Sequence, residues 1–325
     1  MLRRLTTALF LLLPLPAMAQ MCGTEDQLET LSAVDRARLD ALVAPHPYPT
    51  GNFWRAEKEG STVTVVGTIH IPDPRLVGYV DHVRPALDAA DLLIIEASSE
   101  DEKGIQALAA TKPEMFFITE GPTMIDLLGD DDWGRVAERL SAMGIPPFFA
   151  SKFQPWYLSI TLAIPPCAMT ALQSGEQGLD RRLEKIALAN GTPIATLDDT
   201  EKVLRLFADE PLEKQLQGLR ITLETQASND AVTSTLIESY FDGRVRESWE
   251  YGRILVEEAE IENGAELFEE LNQELLIGRN MDWEPKITSL VEGKDVVLAV
   301  GAAHLSGEDG VLRALERAGY RLTQF

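Results

Sequence analysis

Two short runs of the chain end the same way. "TVTVVGTIH", residues 62–70, and "DVVLAVGAAH", residues 295–304, are each a stretch of β-branched and small apolar residues that stops at Gly-x-x-His. With 23 glycines and 4 histidines in 325 residues, chance supplies about 0.3 such tetrads per chain. Runs of this length and composition read as strands. The glycine lacks a Cβ, so the chain can turn sharply out of the sheet there, or a ligand can approach the backbone. The histidine is then presented three residues later, at the rim.

A third run, "DLLIIEA", residues 91–97, ends on Glu96. Before it, residues 74–90 carry Leu76, Val80, Val83 and Leu87 at helical spacing, an inward-facing stripe. The unit therefore reads β-α-β, with its two strands expected to be parallel neighbours. In an open α/β sheet, ligands collect outside the carboxyl ends of the strands. If all three strands are parallel and adjacent, His70, Glu96 and His304 meet at one end of the sheet. Two neutral imidazoles and a carboxylate suit a divalent ion such as Zn, Mn, Fe(II) or Co. Such an ion acidifies bound water and polarises a carbonyl, which is hydrolysis without a covalent nucleophile. Glu96 would be its third ligand or the general base. Taken singly, each histidine reads as a residue closing a strand by a hydrogen bond; the trio is what points to chemistry. Gly-x-Ser-x-Gly, His-Glu-x-x-His, a phosphate loop and a dinucleotide fingerprint are all absent from the sequence.

The remaining punctuation sets the organisation. Residues 1–19 hold two arginines, a short apolar run broken by Pro14 and Pro16, and Ala17-Met18-Ala19, the pattern of a secretory signal peptide cleaved after Ala19. No later segment is long and apolar enough to span a bilayer, so the mature chain, residues 20–325, is expected as a single exported, periplasmic domain. The 29 basic and 52 acidic residues leave a charge of −23, which becomes −25 when Arg3 and Arg4 leave with the signal. Such a field repels nucleic acid and anionic membranes and attracts cations. Cys22 and Cys167, the only cysteines, could pair in an oxidising compartment, but spacing does not settle it.

The expected class is α/β, in a mixed α+β arrangement: sheet-forming residues 60–97, 178–198 and 286–325, with mainly helical residues 98–177 and a helical insertion over 199–285. Residues 25–44 read as an amphipathic helix stopped by "PHPYPTG", which places His46 in an exposed loop. His82 reads as a solvated helix residue and "KFQPWYLSITLA" as a packed wall. Residues 179–190 read as a helix stopped by Gly191 and followed by a strand over 193–197. Gly319 precedes a last strand over 320–323, and Ser306-x-x-Asp309 reads as a capping box.

The chain resembles the TraB/GumN-like proteins, relatives of the animal TIKI proteases. The resemblance is carried in order by Gly67-Thr-Ile-His70, Glu96, "KFQPWYLSITL", "GEQGLDRRLEKIALANGTPIATLDD", Arg279-Asn280 in "IGRNMDW", and Gly301-Ala-Ala-His304 with "LSGEDGVLRALERAGY". It implies a mixed sheet bearing both Gly-x-x-His elements, and functional residues at His70, Glu96, Arg279 and His304 with Asn280 beside them. The animal relatives are similar to manganese- or cobalt-dependent peptidases, so a peptide or protein substrate is implied. Arg279 would hold a substrate carboxylate or a developing oxyanion, or would close the helical insertion onto the sheet by a salt bridge. The expected function is an exported metal-dependent hydrolase, in particular a peptidase. The alternative is a non-catalytic binding protein that uses the same cleft for a metal complex, haem or a peptide.

Overall fold

The computed structural model describes residues 22–23, 25–225, 229–259 and 263–325; residues 1–19, read from the sequence as a signal peptide, lie outside them. Six strands, β1 (Phe53–Lys58), β2 (Ser61–Thr68), β3 (Leu92–Ile95), β4 (Ile194–Thr196), β5 (Asp295–Gly301) and β6 (Arg321–Gln324), form one sheet in the order β4-β3-β5-β2-β1-β6. The first half of the chain supplies α1 (Ala33–Val43), α2 (Leu76–Ala89), α3 (Ser99–Thr111), α4 (Met124–Ala142), α5 (Pro147–Ala150), α6 (Pro155–Ala163) and α7 (Pro166–Gln173). The second half supplies α8 (Leu179–Asn190), α9 (Thr200–Ala208), α10 (Leu212–Thr225), α11 (Asn229–Phe241), α12 (Val245–Glu258), α13 (Gly264–Asn272), α14 (Arg279–Val291) and α15 (Val311–Arg317). The mixed α/β class and the helical stretches match the reading of the sequence. No helix among the described residues is long and apolar enough to cross a membrane.

The alternation of side chains along each strand builds two cores. On β5, Val296, Leu298 and Val300 pack with Trp283, Ile287 and Val291 of α14 and Leu312 and Leu315 of α15. Val297 and Ala299, pointing the other way, pack with Leu76, Val83 and Leu87 of α2 and Leu179, Leu183 and Ala187 of α8. Period two in the strands thus divides the helices into layers on opposite faces. A third cluster, which includes Leu140, Leu158, Leu162, Leu219 and Leu223, holds α4, α6 and α10 together beside the sheet.

Several local expectations change. β2 and β3 are parallel but not neighbours, because β5 lies between them and pairs in parallel with both. The C-terminal strand thereby completes the β-α-β unit from the far end of the chain. β1, which the sequence reading lacks, forms a hairpin with β2 and carries β6 on its other side. Its outward Arg55 and Glu57 dilute the apolar signal, while Trp54 and Ala56 are buried. Ser306 does not cap α15, whose N-cap is Gly310 without a side-chain bond; its hydroxyl instead accepts from Arg246 Nε at 2.8 Å. His46 is half-buried, with Nε2 3.4 Å from Glu250 Oε1, while exposed His82 stacks on Phe325 at 5.0 Å. Cys22 and Cys167 form a disulfide with a Cα–Cα distance of 5.3 Å.

Candidate functional site

Parallel pairing places the carboxyl ends of β2, β3, β4 and β5 together. Thr68 lies opposite Gly301, and Ile95 opposite both Ala299 and Thr196. His70, Glu96, Asp198 and His304 follow those ends within a few residues. The two glycines act through space rather than through turning: neither has a positive φ. A Cβ on Gly67 would lie 2.9 Å from Ala302 Cβ and from Leu305 Cδ1, so the turn carrying His304 could not seat against β2. A Cβ on Gly301 would lie 3.1 Å from Glu96 Oε1, while the Gly301 N–H donates to that oxygen at 2.5 Å.

Arg279 stands at the centre. Its guanidinium donates to Glu96 Oε2, to Asp198 Oδ2 at 2.7 Å, and to His304 Nε2 at 3.1 Å. A π-helical segment, Gln273–Gly278, leads into Arg279, and the Leu275 carbonyl accepts from Nη1 at 3.3 Å. Segments of this kind recur at functional sites because they re-aim the side chains that follow. Trp283, one turn on, donates from Nε1 to Asp198 Oδ1 at 2.8 Å. It also packs against the Arg279 guanidinium at 4.7 Å and the His304 ring at 4.5 Å.

His304 is buried, 4% exposed. Its Nδ1 lies 2.8 Å from Asn280 Oδ1, and Asn280 Nδ2 donates to the His304 carbonyl at 3.3 Å, which fixes the amide's orientation. Asn280 Oδ1 can only accept and Arg279 can only donate, so the proton sits on Nδ1 and the lone pair on Nε2. Burial lowers the His304 pKa to about 3 against the opposing pull of Glu96, consistent with a neutral ring. Burial pushes the Glu96 carboxyl up, but His304, Arg279, His70 and the Gly301 N–H outweigh it and hold it at about 2. Burial opposes the Arg279 charge, and Glu96 and Asp198 more than restore it.

His70 stands apart from this knot. Its side chain is 68% exposed on the wall of a cavity, with Nδ1 3.2 Å from Asp180 Oδ2 at the start of α8. The hydrogen bond to Asp180, then its negative charge, raises the His70 pKa to about 9. It reaches Glu96 and His304 by charge. Gly178 makes the placement possible, since a Cβ there would lie 2.5 Å from the Ile69 and His70 carbonyl oxygens. The cavity, about 1110 Å³, is lined on its polar side by Thr68, His70, Glu96, Asp180 and Asp198, and on its apolar side by residues such as Ile160, Leu172 and Leu188. Thr68 Oγ1 and Asp180 Oδ1, both buried on that wall, have no hydrogen-bond partner among the described residues.

The structure thus joins Glu96, Arg279, Asn280 and His304 directly, and His70 shares with Glu96 the wall of the cavity. Asp198 and Asp180 are additions. Asp198 follows β4 as Glu96 follows β3, so the strand-end rule was available for it; Asp180 carries no such signal. For a divalent ion, no group of three or more His, Cys, Asp or Glu side chains among the described residues is drawn together as a ready site. The donor chemistry nevertheless fits. Both histidines direct Nδ1 at a side-chain acceptor, the arrangement that aims Nε2 at a metal: in His304 the Nε2 lone pair is free of a proton, whereas His70, raised to about 9, would release its Nε2 proton as an ion binds. His304 Nε2 and Glu96 Oε1 are 4.0 Å apart, wider than the ~3.3–3.5 Å between two tetrahedral ligands of one ion, so an ion held by both would draw them together. An ion there would compete with Arg279 for both.

The chain is similar to a protein of Treponema pallidum (strain Nichols) described as an uncharacterized protein, 24% identical over 308 residues, covering 89% of this chain and 86% of the relative. The TraB/PrgY/gumN family matches residues 52–324, from the threshold of β1 to the end of β6, and the chain belongs to that family.

Proposed function

We propose that the protein is an exported divalent-metal-dependent hydrolase, in particular a peptidase, with His70, His304 and Glu96 as the ion's donors. The observation that carries this reading is the paired orientation of the histidines by Asp180 and Asn280. The charge balance supports it: Glu96 and Asp198 share one guanidinium, so a further cation is favoured beside them. When bound, a divalent ion of the Mn, Co or Zn class would supply Lewis acidity and an acidified water.

The chain's own residues supply the rest. Amide hydrolysis places hydroxide on the carbonyl carbon and a proton on the leaving nitrogen. Glu96 holds the ion or accepts the water's proton, and Arg279 donates to the substrate's carboxylate or to the oxygen that gains charge. The apolar wall of the cavity receives substrate side chains and excludes water. The Cys22–Cys167 disulfide supports an oxidising compartment, in keeping with the signal peptide read in residues 1–19.

The test is calorimetric titration of Mn, Co and Zn into the wild type, His70→Ala and His304→Ala, with circular dichroism as a check of folding. A peptide-library digest with and without chelator follows. Ion binding lost in both folded variants, together with chelator-sensitive cleavage, is expected. Failure of the wild type to bind any of the three ions would sink the metal reading. Binding without cleavage would leave the same cleft as a non-catalytic binding site.

A further inference from the structure

A second concavity of about 260 Å³, which shares only Ile160 with the cavity of the site, is walled by residues of α6, α9, α10, α12 and α13. Its walls are apolar: Trp156 and Phe207, with rings nearly parallel at 6.2 Å, face Val256, Phe268 and Leu271. A cavity of roughly 150 Å³ accepts benzene, so this one accepts a larger aliphatic or aromatic group. Gly218, in the interior of α10, lines it, and a Cβ built there would meet no atom within 4 Å. Glycine is disfavoured within a helix, yet here it leaves the space clear without any close backbone approach to require it.

The rim is charged and one-sided. Glu210, Glu270 and Glu274 line the groove with a single base, Lys214, an excess of two negative charges. Lys214 lies 2.8 Å from Glu270 and 3.5 Å from Glu210, and no ion pair of Glu274 is found among the described residues. Burial, then the nearby Glu210 and Glu270, raises the Glu274 carboxyl pKa against the opposing Lys214, so its charge is incompletely compensated. We propose that this groove binds a small organic monocation with one apolar tail, the tail lying over Gly218 between Trp156 and Phe268 and the cationic head at Glu270 and Glu274. An anionic head on the same tail would meet three carboxylates, and a cation without a tail would have no apolar surface to cover.

The probe is octylammonium, titrated calorimetrically into the full chain, with octanoate and methylammonium as controls. Saturable binding of octylammonium is expected, with either control at least tenfold weaker. Gly218→Leu fills the floor of the groove and should cut affinity at least tenfold. The rim variant Leu271→Arg serves as a second test, since Leu271 is 37% exposed and can change without disturbing the core. Glu270→Gln with Glu274→Gln should narrow the preference for octylammonium over octanoate. Equal affinity for octylammonium and octanoate, unchanged affinity in folded Gly218→Leu and Leu271→Arg, or no binding at all would each overturn the proposal. None of these readouts uses a metal ion or hydrolysis, so the outcome is separate from that of the catalytic reading.

Discussion

Breaking the Cys22–Cys167 bond is the perturbation whose magnitude follows most directly from the structure. The bond spans 145 residues and ties the start of the described chain to α7. In the chain-entropy account, a loop of that length removes about 5 kcal/mol of freedom from the unfolded state at 25 °C. With a urea slope of about 3 kcal/mol/M, reduction should lower the unfolding midpoint by roughly 1.7 M. At ~2 °C per kcal/mol for a chain of this size, the melting temperature should fall by about 10 °C. The assay is urea and thermal unfolding of the oxidised protein and of the same protein in reductant, with Cys167→Ala as the covalent control and mass spectrometry to confirm the bond. Ala168 and Leu172 of α7 line the site cavity, so protection of that wall in hydrogen exchange should fall as well. A midpoint shift below about 0.3 M would refute the reasoning, because it would mean that the bond closes no loop that unfolding opens.

Arg279→Ala leaves Glu96 and Asp198 buried without their cation and should cost about 3–5 kcal/mol, read from denaturant unfolding; a folded variant within 1 kcal/mol of wild type would contradict the central role of the guanidinium. Acid should destabilise the protein through two groups of the same sign. His304 is held at about 3, so stability present above its unfolded value near 6.5 is lost as pH falls towards 3. Glu96 is held at about 2, so its contribution, present above its ordinary value near 4.5, is lost as pH falls through 2. Unfolding free energy should therefore fall by several kcal/mol between about pH 6.5 and 2, and His304→Gln should flatten the upper part of that fall. His70, raised to about 9, acts in the opposite sense: its contribution is present below 6.5 and lost as pH rises through 9, so His70→Gln should flatten the alkaline limb. Gly67→Ala puts a Cβ 2.9 Å from Ala302 and Leu305 and should cost about 1–3 kcal/mol by overpacking; a neutral melting temperature would show that the turn can retreat.

The sequence by itself determined a great deal of the frame. Three apolar runs of strand length, each closing on His70, Glu96 or His304, mark three strand ends, because a buried strand needs a continuous apolar stretch and a rim residue need not be apolar. The stripe Leu76, Val83 and Leu87, buried as expected, and the left-handed Gly191 after α8 follow from local geometry in the same way. What local geometry does not carry is strand order. β5 enters between β2 and β3 from more than two hundred residues away, since pairing is decided by which faces bury the most apolar surface.

Only the tertiary structure decided the electrostatic centre. Arg279 reaches Glu96, Asp198 and His304 because α14 packs through Trp283 and Ile287 against β5, and a π-helical segment sets the angle from which its side chain enters. Asn280 chooses the protonated nitrogen of His304, and Asp180 holds and charges the His70 ring, each from an element distant in the chain. Even the two glycines, visible from the start, owe their role to the fold: Gly67 admits Ala302 and Gly301 admits Glu96. A single chain of residues specifies which groups exist and where strands end; the free volume and the partner charges around each group exist only once distant elements have packed.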